Sequence, residues 1–254
     1  MAEIADSDIT IGQAAARWPH LIPFFELHRM DYCCKGDTPL RSACQYAGVD
    51  LADVAQETLC TPPSEASHRN WARATMTELS DYIVSTYHEP TRQRLGLLES
   101  MITNVVTAHA EKAPWLHDLS HVLSELRREM LDHMIREERV LFPWMKRLEL
   151  PHEVNIGPPW SVRRPIDCMI HDHDVVSAAF VRIRGITSNY SVPDWACASA
   201  RRMIDQLRVL EAETHVHIHL ENNILFPAAV DAESRDPRSR SSALPHEPHA
   251  NQRL

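Results

Sequence analysis

A chain of 254 residues with 44% hydrophobic and 24% charged side chains is long enough to bury a full core and too apolar to be disordered. Its formal net charge of -9 argues against nucleic acid as a partner, because phosphate recognition needs a basic face. Met1 to Thr10 lacks the basic and apolar regions of a secretory signal and no apolar run is long enough to span a bilayer, so a cytoplasmic location without a membrane partner is expected. Cys33, Cys34, Cys44, Cys60, Cys168 and Cys197 do not make a disulfide framework in a chain of this size, and reduced thiols are the simpler reading.

Residues 1–60 are expected to form a small helical domain. Helical runs are predicted over Ile11 to Arg17 and Pro19 to Met30, broken by the loop Asp31 to Asp37 that carries Cys33 and Cys34. Thr38 before Pro39 reads as an N-cap with proline in the first helical position, and Asp50 as a second cap. So few large apolar side chains make a marginal fold that must lean on something else. Residues 61–70, which open with Thr61, Pro62 and Pro63, are a linker by composition.

Residues 71–230 carry four long helical patterns. The first stripe is His88, Thr91, Leu95, Leu98, Ile102, Val105 and His109, and the second is Leu119, Leu123, Leu126, Met130, His133, Glu137, Val140 and Trp144. The third is Ile166, Met169, His173, Val176, Phe180 and Ile183, and the fourth is Met203, Leu207, Leu210, Thr214, His217, Glu221 and Ile224. Steps averaging about 3.5 residues mark one buried face per helix, the pattern of an antiparallel bundle. Residues 231–254, rich in Pro, Ser and Arg, read as a disordered tail, so His246 and His249 are not ligand candidates.

One motif occurs twice, from His133 to Pro143 and from His217 to Pro227. Each copy sets His and Glu four residues apart and ends in Leu-Phe-Pro. That spacing puts both side chains on one helical face, about 6 Å apart at Cβ. His88 lies 45 residues before His133 and His173 lies 44 before His217, so each half of the bundle offers two His and one Glu. A carboxylate on a buried stripe must be paired or bound to a cation. Imidazole and carboxylate donors suit iron, manganese or zinc, and the lack of thiolates argues against structural zinc. The Leu-Phe-Pro segments are expected to close their helices, because proline disfavours continuation. His173 is preferred over His171, which points to the opposite side of its helix. His215 and His219 are expected to be solvated, and His109 is too far along its helix to share a metal with His88.

These residues carry a resemblance. Tyr87-His88, Met30-Asp-Tyr-Cys33-Cys34 and above all His217-x-x-x-Glu221-Asn-Asn-Ile-Leu-Phe-Pro227 resemble the iron-sulfur cluster repair proteins, the RIC family, in which a short Cys-Cys domain precedes a hemerythrin-like domain. The resemblance implies an all-α fold, a hemerythrin-like antiparallel four-helix bundle preceded by a small helical N-terminal domain. It implies two iron ions per chain, oxo- and carboxylate-bridged, on His88, His133, Glu137, His173, His217 and Glu221. The family has Gly-Gly after the Cys pair where this chain has Lys35 and Gly36, and Glu where this chain has Asp172.

Two functions stay open on the sequence. One is repair of iron-sulfur clusters damaged by nitrosative or oxidative stress through supply or exchange of iron, with damaged iron-sulfur proteins as clients. The other is reduction or binding of small gases, NO or O2, at the di-iron site; whether the protein is an enzyme, or a homodimer, is left open. The Cys pair favours repair, since an oxygen carrier needs only the bundle. Cys33 and Cys34 are the candidate catalytic residues, acting on iron exchange as thiols with partial thiolate character beside Lys35, on a separate domain that visits the bundle and withdraws. The other four cysteines read as packing residues.

Overall fold

The computed structural model describes residues 8–60, 70–150 and 161–235, and within these the only β contact is an isolated bridge between Thr10 and Pro39. Helix α1 (Ile11–Arg17) opens on a capping box: the Thr10 hydroxyl accepts from the Gln13 N–H, and the Gln13 side chain accepts from the Thr10 N–H. A 3-10 turn at Pro19–Leu21 leads into α2 (Ile22–Leu27), which stops three residues short of the predicted Met30. Arg29 turns left-handed there, at φ 53°, and leads the chain into the cysteine loop. The start of α3 (Leu40–Ala47) also differs from expectation, since Pro39 itself occupies the N-cap with ψ 133° and the Thr38 side chain caps nothing. Gly48, at φ 68°, ends that helix, and the Asp50 carboxylate accepts from the Ala52 N–H at the start of α4 (Leu51–Cys60).

The bundle consists of four long rods. The first is α5 (Met76–Ile83), a π turn at Val84–His88 and α6 (Glu89–His109). The second is α7 (Trp115–Arg136), a π turn at Glu137–Leu141 and α8 (Phe142–Leu148). The third is the uninterrupted α9 (Arg163–Ile186). The fourth is α10 (Ala198–Leu220), a π turn at Glu221–Leu225 and α11 (Phe226–Arg235). Helix α7 packs between α6 and α9, and α10 packs on α6. No helix among the described residues is long and apolar enough to cross a membrane.

The prolines do not close the helices, contrary to expectation. Each π turn is followed by a proline at the second position of the next helical segment: Pro90, Pro143 and Pro227. A proline donates no N–H, and widening the preceding turn puts it where an α segment starts afresh and that hydrogen bond is not required. The extra residue in the π turn also moves the stripe by one position. Val140, predicted inward, is 50% exposed and Leu141 is buried in its place; Leu225 likewise replaces Ile224. The fourth rod runs through Arg235, so Asp231 to Arg235 are helical rather than tail. Residues 236–254 and, apart from Asn70, the expected linker lie outside the described residues.

The small domain is not a separate body. Ile11, Phe25, Tyr32 and Cys33 share one apolar core with Leu98, Phe180, Leu207 and Ile218 of the bundle. A second core, around Ile83, Phe142, Met169 and Phe226, lies on the other side of the buried His and Glu side chains. The cysteine loop is held on the fourth rod by Asn222, whose amide donates to the Cys33 carbonyl at 3.2 Å, and by Asn223, whose amide donates to the Tyr32 and Cys33 carbonyls at 3.1 and 3.3 Å. The fit requires glycine: a Cβ on Gly36 would stand 1.9 Å from the Asn223 Oδ1, and one on Gly12 would stand 2.3 Å away. The expected withdrawal of a tethered domain therefore conflicts with a shared core and three hydrogen bonds from two side-chain latches.

Gly36→Ala should push Asn223 out of this cradle and destabilise the chain by roughly 1–3 kcal/mol, the usual effect of overpacking. Hydrogen exchange would report it as faster exchange over residues 30–38, and parent-like protection there would remove Asn223 as the latch. A second expectation concerns pH. His215 Nδ1 lies 2.8 Å from Glu26 of the small domain; burial opposes its charge, but Glu26 and Glu211 outweigh burial and the Arg184 guanidinium and raise its pKa above 6.5. A raised imidazole pKa stabilises fully below the unfolded value and loses that contribution as pH rises through the folded one. Thermal stability should therefore decline above about pH 6.5 more steeply in the parent than in Glu26→Gln.

Candidate metal centre

His133 lies in the last turn of α7 and Glu137 opens the π turn after it; His217 and Glu221 repeat that arrangement on the fourth rod. His88 ends the π turn of the first rod, and His173 lies mid-way along α9. All six side chains are buried and meet between the two apolar cores. They make two nests, His88, His217, Glu137 and Glu221 in one, His133, His173, Glu137 and Glu221 in the other, each with its donor atoms within 4.8 Å of one another. Both carboxylates belong to both nests. The His88 and His217 Nε2 atoms stand 3.1 Å apart, and those of His173 and His133 stand 3.2 Å apart. Glu221 places one oxygen 3.0 Å from His217 Nε2 and the other 3.2 Å from His173 Nε2. Glu137 Oε2 lies 3.1 Å from His133 Nε2 and 3.5 Å from His88 Nε2. Each nest therefore takes one imidazole from each half of the repeat.

The donor set asks for positive charge. Among the described residues neither Glu137 oxygen accepts a hydrogen bond, nor does Oε2 of Glu221, although all three are buried. Burial would raise the Glu221 pKa, but His217 and His173 hold it well below the ordinary carboxylate range. Burial opposes charge on His133 too, yet Glu137 and Asp172 push it up to about 10. His88, by contrast, is driven down to about 3 by burial and by the neighbouring His217. Three unpaired carboxylate oxygens facing paired Nε2 atoms fit two N/O-bound cations such as iron, manganese or zinc. The groups nearest those oxygens are the His Nε2 atoms themselves, at 3.1 to 3.5 Å, which are the other donors such cations would take.

A further layer orients the imidazoles. The Nδ1 of His88 meets Glu138 at 2.6 Å, and the same oxygen accepts from Arg92 at 2.6 Å. His133 Nδ1 lies 3.4 Å from Asp172, which Arg136 contacts at 2.9 Å. His173 Nδ1 donates to the Asn222 Oδ1 at 2.9 Å, and Tyr87 stacks on His217 with ring centres 5.8 Å apart. Turning Nε2 inward by holding Nδ1 is the usual task of such groups. Sequence reasoning missed the roles of Glu138, Arg92 and Asn222. The available signal was the repeat: Glu138 and Asn222 each follow the motif Glu, and Tyr87 and Asp172 each precede the upstream His.

The remaining candidates divide. His171 is exposed and stands outside both nests, and His109 lies 3.2 Å from the Cys197 sulfur, in neither nest. His215 and His219 are not solvated, because the small domain covers their side of α10. His215 meets Glu26, and His219 is buried against Tyr32, with ring centres 5.5 Å apart; burial takes its pKa down to about 4. Cys33 is buried and Cys34 half-buried, with their sulfurs 3.8 Å apart and in neither nest. The expected thiolate character of Cys33 fails: Cys34, burial and Asp31 together raise its pKa, and the Lys35 charge does not reverse them. Cys44 packs as expected, but Cys168 and Cys197 are exposed; the Cys60 side chain, His246 and His249 lie outside the described residues.

Residues 79–229 match the hemerythrin HHE cation binding domain, and residues 7–59 match a domain of unknown function, DUF542. The chain is 31% identical to an iron-sulfur cluster repair protein YtfE of Escherichia coli O81 (strain ED1a) over 230 residues, 91% of this chain and 100% of that protein. It is 29% identical to the iron-sulfur cluster repair protein YtfE of Yersinia pseudotuberculosis serotype IB (strain PB1/+) over 224 residues, 88% of this chain and 97% of that one.

The register of α9 is testable directly. His173→Ala should lower bound metal per chain and change its spectrum, while His171→Ala, on the exposed side of the same helix, should leave both as in the parent. The opposite pair of results would mean that α9 is turned by two residues.

Proposed function

Because the chain belongs to the family of iron-sulfur cluster repair proteins built on a hemerythrin HHE domain, we propose that it rebuilds damaged iron-sulfur clusters by supplying or exchanging iron. Its ligands are His88, His133, Glu137, His173, His217 and Glu221, and its clients are iron-sulfur proteins damaged by nitrosative or oxidative stress. A hemerythrin HHE domain is a di-iron domain, and the observation that carries the reading is the pair of nests sharing Glu137 and Glu221. Two irons bound there supply an exchangeable, redox-active store.

The protein's own groups set the terms of that store. Glu137 and Glu221 supply two negative charges to both nests, so losing either unbalances both. Glu138, Asp172 and Asn222 keep each imidazole they touch in the tautomer that presents Nε2. Cys33 and Cys34 act on exchange and not on holding the resting pair, since neither sulfur belongs to a nest. Asn222 ties the two regions: it donates to the Cys33 carbonyl and accepts from His173. That latch favours iron exchange over a gas carrier, which has no use for a thiol loop fastened to a ligand.

Glu221→Ala should lose at least one iron per chain and lower the melting temperature; full iron content in both Glu221→Ala and Glu137→Ala would rule out the ligand set. Replacing both Cys33 and Cys34 by Ser should retain both irons while slowing reactivation of a damaged iron-sulfur enzyme. Iron loss in that variant would make the thiols resting ligands, and repair at the parent rate would make them bystanders.

A further inference from the structure

The cysteine loop carries its own donor set. Cys33 and Cys34 are free thiols with sulfurs 3.8 Å apart, and the Asp31 Oδ1 lies 3.5 Å from the Cys33 sulfur. These separations match coordination of one ion. Two metal–sulfur bonds of about 2.3 Å at a tetrahedral angle span about 3.8 Å between sulfurs, and a sulfur with an oxygen at about 2.1 Å spans about 3.6 Å. The side chains are held in place without an ion. Asp31 Oδ1 accepts from the backbone N–H of Cys34 at 2.8 Å and of Lys35 at 3.2 Å, while Asn222 and Asn223 hold the Cys33 carbonyl from the bundle side. The loop is also within reach of solvent, because Asp31 and Cys33 line a cleft of about 810 Å³ between the small domain and the bundle.

We propose that Asp31, Cys33 and Cys34 form a second metal site, for one thiophilic divalent cation, distinct from the two nests. Its donors are two thiolates and a carboxylate, whereas the nests hold only imidazole and carboxylate, so the two regions differ in the ions they prefer. Binding breaks two S–H bonds, forms two S–metal bonds and sends two protons to solvent, with no change of oxidation state. Its use in iron exchange rests on the repair function proposed above; its existence does not. An ion leaving the nests would find it on the loop that Asn222 fastens to His173.

The test adds Cd²⁺ to the full-length, iron-loaded protein and reads sulfur-to-cadmium ultraviolet absorption, proton release and both metals per chain. One cadmium should bind per chain with two protons released and iron unchanged. Cys34→Ser should abolish the absorption. Asp31→Asn, an exposed change that leaves both thiols, should weaken binding by at least about tenfold, the lower end of what even groups outside the ligand shell contribute. Parent-like binding in both variants, or uptake that disappears in Cys197→Ser instead, overturns the site. Thiol-dependent cadmium uptake by a protein found to hold no iron would refute the di-iron reading and leave this site standing.

Discussion

The structure depends on two carboxylates placed where an apolar core would otherwise be continuous. Glu137 and Glu221 are fully buried, and three of their four oxygens find no hydrogen bond among the described residues. Leaving an ionised carboxylate in such surroundings is unfavourable by several kcal/mol unless a cation meets it. Most other features of this layer answer that constraint. Four imidazoles converge on the same two points, and Glu138, Asp172 and Asn222 hold three of them from behind. The apolar side chains divide into separate cores above and below.

The helices meet the constraint by widening. Three of the four rods carry a π turn at the polar layer, and two of the three begin on the motif Glu itself. The third rod, which contributes only His173, has none. Each π turn is paired with a proline in the following segment, so one backbone feature admits the proline and adds a residue that moves the stripe from Val140 to Leu141. The Leu-Phe-Pro segments thus carry the core past the layer of buried His and Glu instead of ending it.

The two halves of the repeat are alike in the His and Glu side chains they bring to the nests and unlike in what lies behind them. Glu138, paired with Arg92, stands behind His88, and the equivalent place behind His173 belongs to Asn222. A neutral amide has a donor to spare, and Asn222 uses it on the Cys33 carbonyl. The asymmetry of the second half is therefore where the thiol loop docks, with Asn223, Gly12 and Gly36 completing the fit. A Glu at position 222 would have no N–H to offer that loop.

How much of this was legible in the sequence follows from the range of each interaction. The bundle, the buried stripes and the six converging side chains were readable from periodicity and from His and Glu set four apart, because helix geometry turns spacing into direction within a few residues. Of the two caps read from the sequence, Asp50 stands, while Thr38 was off by one residue because Pro39 took the cap itself. The pairing of His88 with His217 and of His133 with His173 was not readable, since it depends on which rods face across the bundle. Nor was the burial of His215 and His219, which follows only when a domain from the far end of the chain covers α10. The thiol of Cys33 shows the same division. Lys35 next in sequence suggested a thiolate, but pKa is set by surroundings in space, and there Cys34, burial and Asp31 outweigh the lysine.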